Sequence, residues 1–259
     1  MAPVEALPTE RPMVAEFRSI ADGLGRAALV GALAGAGAGA IGGFLSRVAM
    51  RVSGATSDPF LVTDNGNVVG RITLGGSAFL VVGGAIFGIV LGLSYVAIRR
   101  WLPTGRWRRR LATAVLTLAA FGSLLVNAEN RDFTRLGDPG LNVALFAGLL
   151  LATGVVLAVL VEWLDPRIRT RPADPWFYGS VYLLITLVSV LFGLIVVVLA
   201  ALPFVVLAGR ALGRRVGVEP SLTRGSPAWW AGGALLLGAA IVGLALFGIE
   251  VSEILAAAG

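Results

Sequence analysis

"GALAGAGAGAIGG", residues 31–43, admits two incompatible readings, and the choice between them decides the fold. Gly37-Ala38-Gly39-Ala40-Ile41-Gly42 satisfies the G-x-G-x-x-G pattern of a dinucleotide-binding turn. Gly31, Gly35, Gly39 and Gly43 meanwhile fall every fourth residue, the spacing of a close seam between two helices in a membrane. A dinucleotide fingerprint requires a strand before the glycines, a helix after them and an acidic residue about 20 positions on. Here the glycines sit inside an uncharged run bounded by Arg26 and Arg47, and none of that context is present. Four residues turn an α-helix by about 400°, so the four-residue repeat makes a stripe that drifts slowly round the helix. Glycine on such a stripe lets two backbones approach closely. In lipid that van der Waals contact replaces the hydrophobic drive that water would supply. Gly84, Gly88 and Gly92 repeat the pattern further on, with Gly76 in the same register, so the first two apolar runs are the expected tight pair. A stripe that forms an oligomer or lines a pore would look the same in sequence. Leu at Gly35 or Gly39 is expected to be damaging and Ala milder, whereas Leu at Ala32 or Ala36, off the stripe, is expected to be tolerated.

The surroundings of this stretch place the chain in a bilayer. Of 259 residues 57% are hydrophobic and 14% charged, and the mean hydropathy is +0.87, beyond the range of soluble domains. The charges are segregated, leaving uncharged runs at 27–46, 72–98, 111–128, 139–161, 175–209 and 225–249. A helix needs roughly 20 apolar residues to cross the hydrocarbon core. The expected fold is therefore an all-α integral membrane protein with about six transmembrane helices in one bundle and Gly-rich helix packing. Its spans fall near 27–46, 72–98, 111–128, 139–161, 178–208 and 228–249, within a polytopic domain over 26–259. Residues 1–12, with three prolines and mixed charge, read as a disordered tail. Over 13–25, Val14, Phe17, Ile20, Ala21 and Leu24 recur at helical spacing opposite Glu16, Arg18 and Asp22, the pattern of a helix lying on the membrane surface. "FLVTDNGNVVGRIT", residues 60–73, places two β-prone runs around Asn65-Gly66 and predicts a small external hairpin between the first two spans.

The topology follows from the arginines. All 21 basic residues are Arg, and Arg99 to Arg110 holds six of them without an acid, which marks that loop as cytoplasmic. The N-terminus is then cytoplasmic and the protein is expected in the cell membrane. Six crossings would place the Arg210–Arg224 connection outside, giving twelve Arg inside against nine outside. The uncharged run 175–209 is long and contains Pro203; if it holds a re-entrant segment instead, that connection returns inside and the C-terminus lies outside. All six tryptophans fall in connections or at span ends, where indoles favour the headgroup layer. In "SPAWW", residues 226–230, Ser226 reads as an N-cap and Pro227 as a first helical residue.

Composition removes much chemistry. The chain has no His, Cys, Lys or Gln, which excludes Ser-His-Asp triads, thiolate nucleophiles, Schiff bases and the lysine of a phosphate-binding loop. No cofactor is expected, and no spacing pairs a nucleophile with a base or assembles metal-binding carboxylates. No ionisable residue falls at the centre of an expected span, which weighs against a coupled transporter. The net charge of +6 is explained by orientation and calls for no nucleic acid. The best polar constellation is external: Asn127, Glu129, Asn130, Arg131, Asp132, Arg135, Asp138 and Asn142, with Arg47 and Arg51 four apart at the end of the glycine-rich helix. It could hold a small ion, or it could be a loop whose charges pair and whose Asp138-Pro139-Gly140 makes a turn. Arg47 and Arg51 could instead snorkel, and Glu250 and Glu253 read as the stop of the last span. The expected function is that of a non-catalytic subunit or accessory of a membrane complex, its partners being the bilayer and either another membrane protein or a second copy. The alternative is a channel or facilitator lined by Gly and hydroxyl residues such as Ser77, Ser94, Thr113, Thr117 and Ser123.

Overall fold

The computed structural model describes residues 12–54, 73–130, 133, 137–168 and 224–258. These form five α-helices, α1 (Pro12–Gly54), α2 (Leu74–Ile98), α3 (Arg106–Leu125), α4 (Pro139–Leu164) and α5 (Pro227–Ala258), with a 3-10 turn at Arg99–Trp101. No strand occurs among the described residues. The expected hairpin and fifth span fall outside them. Among the described residues four stretches are long and apolar enough to cross a membrane: Arg26–Val52, Leu74–Trp101, Pro139–Leu164 and Trp229–Ala257. The chain is thus a helical membrane protein. In α3, four arginines occupy the first five positions, and the remainder from Leu111 extends only about 22 Å at 1.5 Å per residue, less than the roughly 30 Å hydrocarbon core.

Local signals account for several helix ends. The Asp138 carboxylate accepts a 2.8 Å hydrogen bond from Leu141 N–H, and Pro139 follows at the first helical position, where a missing N–H costs nothing. At the start of α5, Ser226 Oγ accepts from Trp229 N–H at 3.2 Å. Thr73 caps α2 through Gly76 N–H. By contrast α1 continues without a break through residues 25 and 26, so the segment expected on the membrane surface belongs to one helix of 43 residues with the first apolar run. Its length of about 65 Å is twice the hydrocarbon thickness. Nor does α5 stop at Glu250, since it continues to Ala258.

The helices are neighbours in the order α2, α1, α4, α3, α5, and small residues form each contact. Along α1 and α2, Gly31 faces Gly92, Gly35 faces Gly88, Gly39 faces Gly84 and Gly43 faces Leu80, an antiparallel register that steps four residues on each side. A Cβ built on Gly35 or Gly39 would meet the carbonyl oxygen of its partner and come within 2.7 Å of the carbonyl carbon. The next step of the register sets Arg47 beside Gly76 and Thr73. On the other face of α1, Gly42 meets the Thr153 hydroxyl of α4 and Gly37 meets Leu160. Gly154 of α4 would put a Cβ 2.7 Å from Ala114 Cα and from Thr117 Oγ1 of α3. Gly122 of α3 lies under the Phe247 ring, and Gly243 of α5 against the Ala119 backbone. The core between these seams contains Val30, Ala34, Leu91, Tyr95, Leu157 and Val161. A second cluster of Val126, Phe133, Val143 and Ile254 closes the opposite end. Ala32, expected on an open face, is only 4% exposed.

Helix direction follows from the same contacts. The register makes α2 antiparallel to α1 and α4 antiparallel to both α1 and α3. The α3–α5 pair differs: Ala119 meets Gly243, Gly122 meets Phe247 and Ala128 N–H donates to Glu250, so these helices run parallel. Arg99–Arg110, the end of α4 and the start of α5 consequently share one end of the bundle. Two reciprocal bonds fix this arrangement, from Trp101 Nε1 to the Trp229 carbonyl at 3.0 Å and from Trp229 Nε1 to the Arg100 carbonyl at 3.2 Å.

Candidate functional site

The polar constellation read from the sequence lies at the end where α3 finishes and α4 begins, and two of its described members, Asn127 and Asp138, serve local structure. Asn127 Oδ1 accepts from Asn130 N–H at 2.9 Å, Asp138 caps α4, and Glu129 is exposed. Asn142 is buried, as is the neighbouring Val143. Arg131, Asp132 and Arg135 lie outside the described residues. Arg47 and Arg51 are on α1 at this same end, Arg47 against the start of α2. Glu250 accepts from Ala128 N–H at 2.8 Å, closing the turn after α3. Among the described residues no three Asp or Glu side chains converge as metal ligands would.

Several of the hydroxyls that a polar passage would use are bonded to their own helices. Thr113 Oγ1 donates to the Arg109 carbonyl, Thr117 to Thr113, Thr153 to Leu149 and Ser94 to Val90, each one turn back. Such a bond spends the donor and lets the hydroxyl pack among apolar groups. Thr113, Thr117 and Thr153 are buried in glycine seams accordingly.

The larger charged constellation is at the opposite end, in the loop that sequence reading used only for orientation. Glu162, one turn from the end of α4, receives Arg110 through Nη2 at 2.7 Å and Nε at 3.2 Å, with Arg106 at 3.7 Å. Both partners of the Arg110–Glu162 pair are mostly buried. Asp165 is bridged by Arg26 of α1 at 3.2 Å and by Arg99 at 3.5 Å, and Arg26 also donates to the Asp165 carbonyl. A cation there meets the negative end of the α4 dipole. Arg109 holds the connecting loop through the carbonyls of Pro103 and Thr104. Between these groups is a cavity of about 580 Å³, lined by Tyr95, Arg99, Arg100, Thr104, Arg106, Arg109, Glu162 and Asp165 among others. Glu162 Oε1 is buried beside it with no hydrogen-bond partner among the described residues. Four arginines, Arg26, Arg99, Arg106 and Arg110, thus converge on two carboxylates. A signal existed in the sequence: Glu162 and Asp165 end an uncharged run as Arg99–Arg110 ends another, which pairs them across antiparallel neighbours.

None of the protein-family models, curated proteins or solved structures compared with this chain matches it.

Proposed function

We propose that the chain is a non-catalytic subunit or accessory of a membrane complex, resident in the cell membrane with its N-terminus cytoplasmic, and that it acts through helix packing. The observation that carries this reading is the state of α5. From Trp229 to Glu253 no residue of α5 is buried, whereas half of the most apolar part of α1 is. Leu235, Leu237, Ile241 and Val242 of α5 all point outward, and Gly238 and Gly248 open onto free space. Among the described residues α5 is held mainly by one neighbour, α3, which leaves most of its circumference for another membrane protein, a second copy or lipid. The glycine stripes act on the inner side, as seams that let thin helices close on one another and leave the larger side chains for the outside.

In the same proposal Ile168 and Arg224, the described residues on either side of 169–223, both lie at the arginine-rich, cytoplasmic end, and the Arg of the intervening connections are counted with them. Sixteen of the 21 Arg would then be cytoplasmic, which relieves the near-even division that six crossings require. The channel reading is disfavoured by the Thr113, Thr117 and Thr153 hydroxyls, which are committed to backbone carbonyls within tight seams. Extraction in mild detergent at native abundance, followed by mass and subunit analysis, should recover a species heavier than one chain. A lone monomer would overturn the proposal, and solute flux into liposomes holding only the purified chain would establish the channel instead.

A further inference from the structure

We propose that the cavity at the arginine-rich end binds a phosphate-bearing anion. Tyr95, Arg99, Arg100, Arg106 and Arg109 line it together with Glu162. Among the described residues Arg26, Arg99, Arg106, Arg109 and Arg110 gather round two carboxylates, Glu162 and Asp165, and Arg110 and Arg26 make the shortest ion pairs to those two. Guanidinium groups gathered round a partly enclosed space repel one another unless an anion joins them, and phosphate oxygens suit their fork of donors. A second feature points the same way. The N-terminus of α3, a helix of 20 residues, opens beside the cavity at Thr104 and Arg106. Its N-cap is Gly105, which supplies no side-chain cap, and its first turn holds no acid. First-turn N–H groups without a side-chain cap and the positive end of the helix dipole there favour an anion.

The depth of the cavity indicates where the phosphate is encountered. Trp107 and Trp163 are exposed around it, stacked by Arg110 and Arg167, while Trp101 is pinned to the start of α5. Indoles at one end of a membrane bundle mark the headgroup layer. The phosphate of an anionic lipid lies at that level, and free phosphate reaches it from the cytoplasm, so the shared chemistry is the phosphate anion itself.

The test is thermal unfolding of the purified full chain in a neutral detergent, titrated separately with phosphatidylglycerol, phosphatidylcholine, inorganic phosphate and sodium chloride at matched ionic strength. Phosphatidylglycerol or inorganic phosphate should raise the unfolding midpoint saturably, with phosphatidylcholine and chloride inert. Saturation by the lipid alone assigns a headgroup, and saturation by inorganic phosphate assigns the free anion. Arg106→Gln should weaken the half-saturating concentration about tenfold, the effect of losing one charged hydrogen-bond donor. Arg167→Gln removes the same charge outside the cavity and should leave it unchanged. Arg100→Gln serves as a second cavity variant if Arg106→Gln does not fold. No saturable response to either phosphate source, or an equal loss in the cavity and Arg167 variants, overturns the proposal.

Discussion

Gly83 and Gly84 are adjacent on α2 and face opposite surroundings. A Cβ on Gly84 would meet the Gly39 carbonyl and come within 3.1 Å of Gly43 Cα, whereas one on Gly83 finds nothing within 4 Å. The obstruction at Gly84 is backbone, which cannot rotate away as a flexible side chain could. Even a methyl group there must push two helices apart, so Ala is less mild on this seam than a sequence argument expects. Gly84→Ala should lower stability in detergent by about 1–3 kcal/mol, the usual cost of overpacking. Gly83→Ala should be neutral or raise it by up to about 1 kcal/mol, because Ala is the better helix former. Thermal unfolding of the two variants side by side checks this, and equal effects would mean that α1 and α2 do not meet through backbone. Ala32 illustrates what spacing alone misses: it is off the four-residue stripe and still buried.

At the scale of the element, helix starts were more legible than helix neighbours. Asp138-Pro139 and Ser226-Pro227 announce α4 and α5 because an N-cap and the residue after it are chemically local, needing only one oxygen and one missing N–H. The α3 contacts gave no comparable warning. Gly122, Gly154 and Gly243 each make a seam singly, and an isolated glycine in an apolar run has no period to reveal which helix it meets. The arginine-lined cavity was equally hidden, since the same six-arginine loop satisfies the positive-inside rule whether or not α4 returns two acids to it. Asp138 belongs to a candidate ion site by sequence and to a cap by structure, and the two roles separate experimentally. Asn caps as well as Asp but carries no charge, so Asp138→Asn should keep stability near that of the parent while Asp138→Ala loses about 0.5–2 kcal/mol. If Asn proved as costly as Ala in the same unfolding measurement, the carboxylate would have a duty beyond the cap.

For the molecule as a whole, the decisive feature is that α3 and α5 run parallel. Alternating crossings are the simplest inference from six uncharged runs, and hydropathy cannot reveal on which side the flanks of a long run such as 175–209 lie. Tertiary contacts can, because Gly122 with Phe247 and Ala119 with Gly243 advance together along both helices, and the Trp101–Trp229 bonds hold the two starting ends side by side. If Arg99–Arg110 is cytoplasmic, the last turn of α5 faces the other side. A cysteine at Thr104 should therefore be protected from an impermeant thiol reagent in intact cells, and one at Ala257 should be labelled; the native chain has no cysteine to confuse the assignment. Glu219 lies outside the described residues, and a cysteine there should be protected if the chain between α4 and α5 returns to the side it left. Labelling at Glu219 together with protection at Ala257 would restore six alternating crossings and remove the parallel pair. The intermediate result, protection at both Thr104 and Ala257 with Glu219 also protected, would require α5 to double back before its end, which a single helix from Pro227 to Ala258 does not allow.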